Sequence, residues 1–260
     1  MNPPRSFIYG VLQSCILLLT VVNGDKLPKR GLAYLTSDVA ASSITADTKT
    51  ATQPISVASW VYDWGHSPPA ALLQSGLEYI PMQWNAENIE DLAATVKSLN
   101  AKAVLAFNEP DNPKQSNMNA TYAAQLWMQY FEPLRSTLPG ISLGAPAISS
   151  AASGPVWLTQ FMAACAKCTI DFIPIHWYGS GAQNFFNYVG QLSAQFPTHL
   201  LWVTEFAETS PDPATVLAFM NTVVPALDGP LFPFVERYAW FEYSRAPSGG
   251  VNSSTLIDFL

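Results

Sequence analysis

Charge is scarce in this sequence. Lys, Arg, Asp and Glu make up 12% of its 260 residues, about half the share of an ordinary soluble domain. Basic residues are scarcest, 12 against 19 acidic ones. Without residues 1–30, which hold Arg5, Lys26, Lys29, Arg30 and Asp25, the balance is 8 − 18 = −10. So acidic a chain offers no footprint for nucleic acid or an anionic membrane. Histidine is nearly missing as well. His66, His176 and His199 lie without ligand spacing, so no metal is expected. No Gly-rich phosphate loop follows an early apolar run, which argues against a nucleotide-binding open sheet, and no cofactor is expected.

Cysteine is limited to three residues. Cys15 falls in an N-terminal apolar stretch, which leaves Cys165 and Cys168 as Cys-Ala-Lys-Cys. With no second pair to complete a zinc site, a small structural disulfide is the simplest reading. The stretch around Cys15 runs from Phe7 to Val22 behind Arg5. Val22 and Gly24 stand at the −3 and −1 positions of a cleavage site, so residues 1–24 read as a secretory signal peptide. Lys29-Arg30 would allow further trimming to residue 30. The run is too short, and too soon followed by polar residues, for a membrane anchor. The mature chain is therefore expected outside the cell, associated with a cell wall and free of the membrane. Asn119-Ala-Thr and Asn252-Ser-Ser are glycosylation sequons.

Residues 31–260 suit one large domain, expected to act as a monomer. Apolar runs recur there at a regular beat, and strands are expected at 31–36, 57–63, 78–84, 102–108, 141–147, 170–177, 200–206 and 237–242. Several are continuously apolar, as parallel strands covered by helices are. Between them Ile89, Leu92, Val96 and Leu99 fall on one helix face. Ser67-Pro68 reads as a helix start. Pro133 must kink or end a helix over 121–137, and helices are expected at 156–165, 182–195 and 213–224. Eight strands alternating with helices make an α/β protein, a compact (β/α)8 TIM barrel. The tail after Tyr243 is too short for a complete last helix.

Such barrels carry their chemistry at the C-terminal strand ends. Strand two ends in Tyr62-Asp63-Trp64-Gly65-His66, strand three in Gln83-Trp84-Asn85, and strand four in Asn108-Glu109-Pro110-Asp111. His176-Trp177-Tyr178-Gly179, Thr204-Glu205-Phe206 and Trp240-Phe241-Glu242 end strands six, seven and eight. Aromatic rings, amides and two glutamates at one mouth suit a sugar, whose C–H faces stack on rings and whose hydroxyls need fixed partners. Two carboxyl groups flanking a glycosidic bond can divide acid and nucleophile work between them.

Asn108-Glu109-Pro110-Asp111, His176-Trp177-Tyr178-Gly179 and Trp202-Val203-Thr204-Glu205-Phe206 resemble, in order and spacing, glycoside hydrolase family 128. These are the small-barrel β-1,3-glucanases of clan A, and the resemblance spans residues 31 to 243. It implies that Glu109 is the general acid/base and Glu205 the nucleophile of a retaining double displacement on β-1,3-glucan. It also implies that Asn108 binds the sugar 2-hydroxyl, that Trp240 forms a stacking floor and that Tyr178 hydrogen-bonds Glu205. His176 reads as a hydrogen-bonding cleft residue. Trp60, Trp84 and Trp177 read equally as sugar platforms or core, while Trp127, Trp157 and Trp202 read as core. Glu208 rivals Glu205, and Asp111 and Glu242 are expected to bind substrate or orient neighbours. Phe241-Glu242 stand where the family more usually carries small residues. The alternative to an enzyme is a wall protein that binds glucan on the same barrel without cleaving it.

Overall fold

A computed structural model of the chain describes residues 29–35, Ile44 and 57–243. The segment read as a signal peptide, the tail after Tyr243 and Asn252 lie outside the described residues. Eight parallel strands form one sheet: β1 Arg30–Tyr34, β2 Trp60–Tyr62, β3 Glu78–Tyr79, β4 Ala103–Leu105, β5 Ser142–Gly144, β6 Phe172–Gly179, β7 Leu200–Glu208 and β8 Val235–Tyr243. Their order in space is β3-β2-β1-β8-β7-β6-β5-β4. The two ends meet through a parallel bridge between Met82 and Leu105, where Gln83 N donates to Leu105 O and Leu105 N to Pro81 O. The sheet is thereby a closed barrel.

Among the described residues seven helices cover it: α1 Ala70–Leu73, α2 Leu92–Ser98, α3 Ala120–Leu126, α4 Leu134–Thr137, α5 Ser153–Ala164, α6 Ala182–Gln195 and α7 Pro213–Asp228. Ser67 does not cap α1, whose N-cap is Pro69 with no side-chain bond. Asn119 caps α3 by accepting from Thr121 N and Tyr122 N, and Asp212 caps α7 in the same way. Past α3 the chain widens into one five-residue turn, Trp127–Phe131, and Pro133 then starts α4. Trp127 stacks on Phe131 in that turn, with ring centres 4.9 Å apart. Cys165 and Cys168 are disulfide-bonded just past α5. Among the described residues no helix is long and apolar enough to cross a membrane.

Two apolar layers hold the barrel. The larger lies between strands and helices; the smaller fills the interior with Trp60, Tyr62, Ile80, Met82, Leu105, Phe172 and Trp202. Phe172 and Trp202 stack at 3.9 Å, and the Arg237 guanidinium lies 4.4 Å over Trp202. These rings fit because their neighbours have no side chain. A Cβ on Gly31 would sit 2.1 Å from Trp60, and one on Gly144 2.5 Å from Phe172.

Candidate active site

Above this plug the strand ends converge on a cleft of about 610 Å³. Its lining includes Trp64, Trp84, Asn108, Glu109, Tyr178, Glu205, Phe241 and Glu242. A second lobe of about 610 Å³ shares Trp64 and Trp84 with it and runs over the loops at 65–67 and 82–91. The backbone marks the same place. Among the described residues five non-glycine residues have positive φ: Asn88, Asn100 and Asn117, a residue type that tolerates it, and Trp64 (61°) and Glu109 (41°), which do so at a cost.

Glu109 and Glu205 are both buried at the cleft floor, joined by His176. His176 Nδ1 lies 2.9 Å from Glu109 Oε1 and 3.3 Å from Glu205 Oε2. The three facing atoms lie within 4.8 Å of one another. Strand pairing explains the meeting, since His176 on β6 is the register partner of Glu205 on β7. Glu205 has two further donors, Trp64 Nε1 at 2.7 Å to Oε1 and the Tyr178 hydroxyl at 2.5 Å to Oε2. Asn112 Nδ2 donates to Glu109 Oε2 at 2.8 Å. Burial works to raise the Glu109 pKa, but the hydrogen bond and charge of His176, with help from Asn112, bring it below the usual carboxylate value. Burial works to lower that of His176, and the charges of Glu205 and Glu109 raise it above the usual imidazole value instead.

Several expected roles fall elsewhere. Trp240 is not a stacking floor: it is buried against Phe206 and Phe219 on the helix side of β8. Trp177 alternates with the inward His176 and Tyr178, so it points outward and stacks on Phe219. Trp60 is sealed in the barrel interior. Trp84 does line the cleft, as does Asn108, whose Nδ2 donates to Gln115 Oε1. Glu208 is buried as the acceptor for Gly181 N and Ser210 N, clamping the loops after β6 and β7. Asp111 accepts from Ser149 N and from the hydroxyls of Ser149 and Ser153, which ties the β4 loop to the start of α5. Trp64 and Phe241 line the site; both were read at strand ends, but neither was assigned a role. The signal for Trp64 was its position just past a strand end.

These placements separate packing from binding. Trp240→Ala is expected to cost about 3–5 kcal/mol of stability, with KM unchanged in the protein that still folds. Trp84→Ala should do the reverse, raising KM with little change in melting temperature. Thermal unfolding beside steady-state kinetics checks both.

A closed parallel barrel with a close carboxylate pair at its strand ends is an arrangement that suits glycoside hydrolysis. The chain belongs to the glycosyl hydrolase catalytic core family, which matches residues 31–259, and within that chemistry to glycoside hydrolase family 128. A subgroup III curdlan-specific exo-β-1,3-glucanase of that family from Blastomyces gilchristii, solved with glucose, is 31% identical. It covers 89% of this chain and 97% of its own, with a TM-score of 0.74. A subgroup I endo-β-1,3-glucanase from Amycolatopsis mediterranei, solved with laminaritriose, is 29% identical over 88% and 98% of the two chains, TM-score 0.73. Alkali-sensitive linkage protein 1 of Schizosaccharomyces pombe is 36% identical over 208 residues, 76% of this chain and 37% of that protein. The chain thus spans little more than a third of that relative's length.

Proposed function

We propose that this chain hydrolyses β-1,3-glucan with retention of configuration, Glu205 acting as nucleophile and Glu109 as acid/base. The observation that carries the reading is the buried carboxylate pair with facing oxygens within 4.8 Å. Such a spacing agrees with the roughly 5–5.5 Å of retaining pairs, not the roughly 6.5–9.5 Å that admits an inverting water. Glu205 attacks the anomeric carbon while Glu109 protonates the departing oxygen. Water activated by Glu109 then opens the glycosyl ester on Glu205.

Glu109 needs a proton that its own pKa would not keep. His176 supplies the answer. The triad has the same net charge whether its one proton sits on the imidazole or on Glu109, so the two titrate as one unit. Turnover is therefore expected to prefer mildly acidic pH. It falls as pH rises through the raised His176 value, where the pair loses the proton it shares. A rate that climbs steadily to about pH 9 would contradict this. Asn108 Oδ1, buried and without a partner among the described residues, is free to accept from a sugar hydroxyl. Trp64, Trp84 and Phe241 offer rings for the sugar C–H faces, and the second lobe gives the polymer room to continue.

The glucan itself is proposed from the named activities of the relatives. Soluble β-1,3-glucan and β-1,4-linked mannan or cellulose, offered to the mature protein in parallel, test it. Oligosaccharides from the β-1,3 polymer alone are expected, and release from the β-1,4 polymers alone would replace the substrate. Binding without release would make the chain a glucan-binding wall protein. We also propose export and action as a monomer. The Cys165–Cys168 bond supports an oxidising compartment. N-terminal sequencing of protein recovered from culture medium should begin at Asp25 or Gly31; a chain found only inside cells would sink the idea.

A further inference from the structure

We infer that Asp63 and Tyr79 are positioning residues: a proton on Asp63 and the Tyr79 hydroxyl together clamp the strained Trp64 and, through it, orient Glu205. The inference rests on the proposed role of Glu205 as the reacting carboxylate. Trp64 is held with φ at 61°, between Asp63 and Gly65. Its neighbours on both sides meet one phenol. Tyr79 Oη is 2.6 Å from Asp63 Oδ1 and 2.6 Å from Gly65 O. Gly65 O also accepts from Met82 N at 2.9 Å, which ties the loop to the segment that closes the barrel.

The proton count decides the state of this cluster. A phenol has one proton, and a backbone carbonyl has none to give. Both short contacts are full two-centre hydrogen bonds only if Asp63 is protonated, donating to Tyr79 while Tyr79 donates to Gly65 O. With Asp63 ionised, the one phenol proton is split between two acceptors or leaves one pair of oxygens facing each other at 2.6 Å. Burial raises the Asp63 pKa above its usual value in spite of the donors from Tyr79 and Gly65 N. The titratable groups facing it are Tyr79 from β3 and Tyr34 from β1, both pushed further from ionisation by burial first and then by Asp63. His66, three residues on, bonds Ser67 instead. Among the described residues Asp63 has no cationic partner. With a raised folded pKa, the clamp is complete below the usual carboxylate value and is lost as pH rises through the raised one. Trp64 would then relax from its positive φ, and its indole would leave Glu205 Oε1.

The test labels the tryptophans with 15N and follows the Trp64 indole N–H against pH without substrate, assigned through Trp64→Phe. The signal is expected to move between two states with a midpoint above the usual carboxylate range. That transition should vanish in Asp63→Asn, a neutral donor at every pH. The indole should sit in the released position throughout in Tyr79→Phe and Asp63→Ala. In parallel kinetics, Tyr79→Phe and Asp63→Ala should lower kcat about tenfold, the worth of one well-placed hydrogen bond, with KM little changed. Asp63→Asn should restore it. A transition that persists in Asp63→Asn, or a Trp64 signal indifferent to Tyr79→Phe, would overturn the inference. The spectra are read without turnover. A chain that cleaves no glucan but shows the Asp63-linked transition therefore keeps the clamp and loses only the proposed activity.

Discussion

Glu205→Gln is expected to cut turnover of a soluble β-1,3-glucan by on the order of 10³ or more, about 4 kcal/mol of transition-state stabilisation, with fold and glucan binding retained. The substitution keeps the shape of a side chain that accepts from Trp64 and Tyr178 and lies 3.3 Å from His176 Nδ1. The Tyr178 hydroxyl can reverse and accept from the new amide, so the local network survives. The chemistry does not survive, because an amide cannot form the glycosyl ester. Glu205→Gly in azide should recover part of the rate and release the α-glycosyl azide, since the anion enters from the vacated face. Melting curves and calorimetric titration with a laminari-oligosaccharide check the intact half of the prediction. A loss under tenfold would mean another group attacks. Glu208, the nearest acid in sequence, is committed to Gly181 N and Ser210 N.

The second large effect is expected at His176. His176→Phe fills the same buried space but leaves two carboxyl groups facing each other with no cation between them. Breaking a buried ionic group in this way costs about 3–5 kcal/mol, and the cost should depend on pH. The raised imidazole contributes stability that is complete below its usual value and is lost as pH rises through the raised one. The lowered Glu109 contributes stability that is complete above the usual carboxylate value and is lost as pH falls through the lowered one. Wild type and variant should therefore differ most between those limits and converge in acid, where a proton separates the carboxylates instead. Removing the cation also lets Glu109 hold its proton to higher pH, so the alkaline limb of turnover should pass from the imidazole to the carboxyl. Calorimetric melting at several pH values measures the first effect. An equal loss at every pH would reduce His176 to a packing residue.

Much of this arrangement was legible in the sequence because polar residues at strand ends give the phase of the strand. Asn108 and Glu109 stand just past β4, and His176 and Tyr178 fix which face of β6 looks inward. Continuous apolar runs carry no such phase. Trp177 and Trp240 lie in strands covered on both faces, and a ring that packs on a helix reads the same as one that stacks on a sugar. The correction for Trp177 follows from its polar neighbours, two residues apart. Trp60 is a different case: it points inward, but at a level of the barrel filled by Phe172 and Trp202. Trp64 escaped for a backbone reason, since a positive φ is expected of glycine or asparagine and not of a large aromatic residue. Pro133 marked the break after α3, while the widened turn at Trp127–Phe131 depends on the stacking of those two rings and has no local signal.

A double displacement at the close Glu109–Glu205 pair would fix the anomer of the first product. Proton NMR of the first sugar released, recorded before its anomers equilibrate, tests this most directly. The β anomer should appear first, and the α anomer should grow in only by mutarotation. An α anomer appearing first would mean that water attacks directly, and Glu205 would then not be the nucleophile.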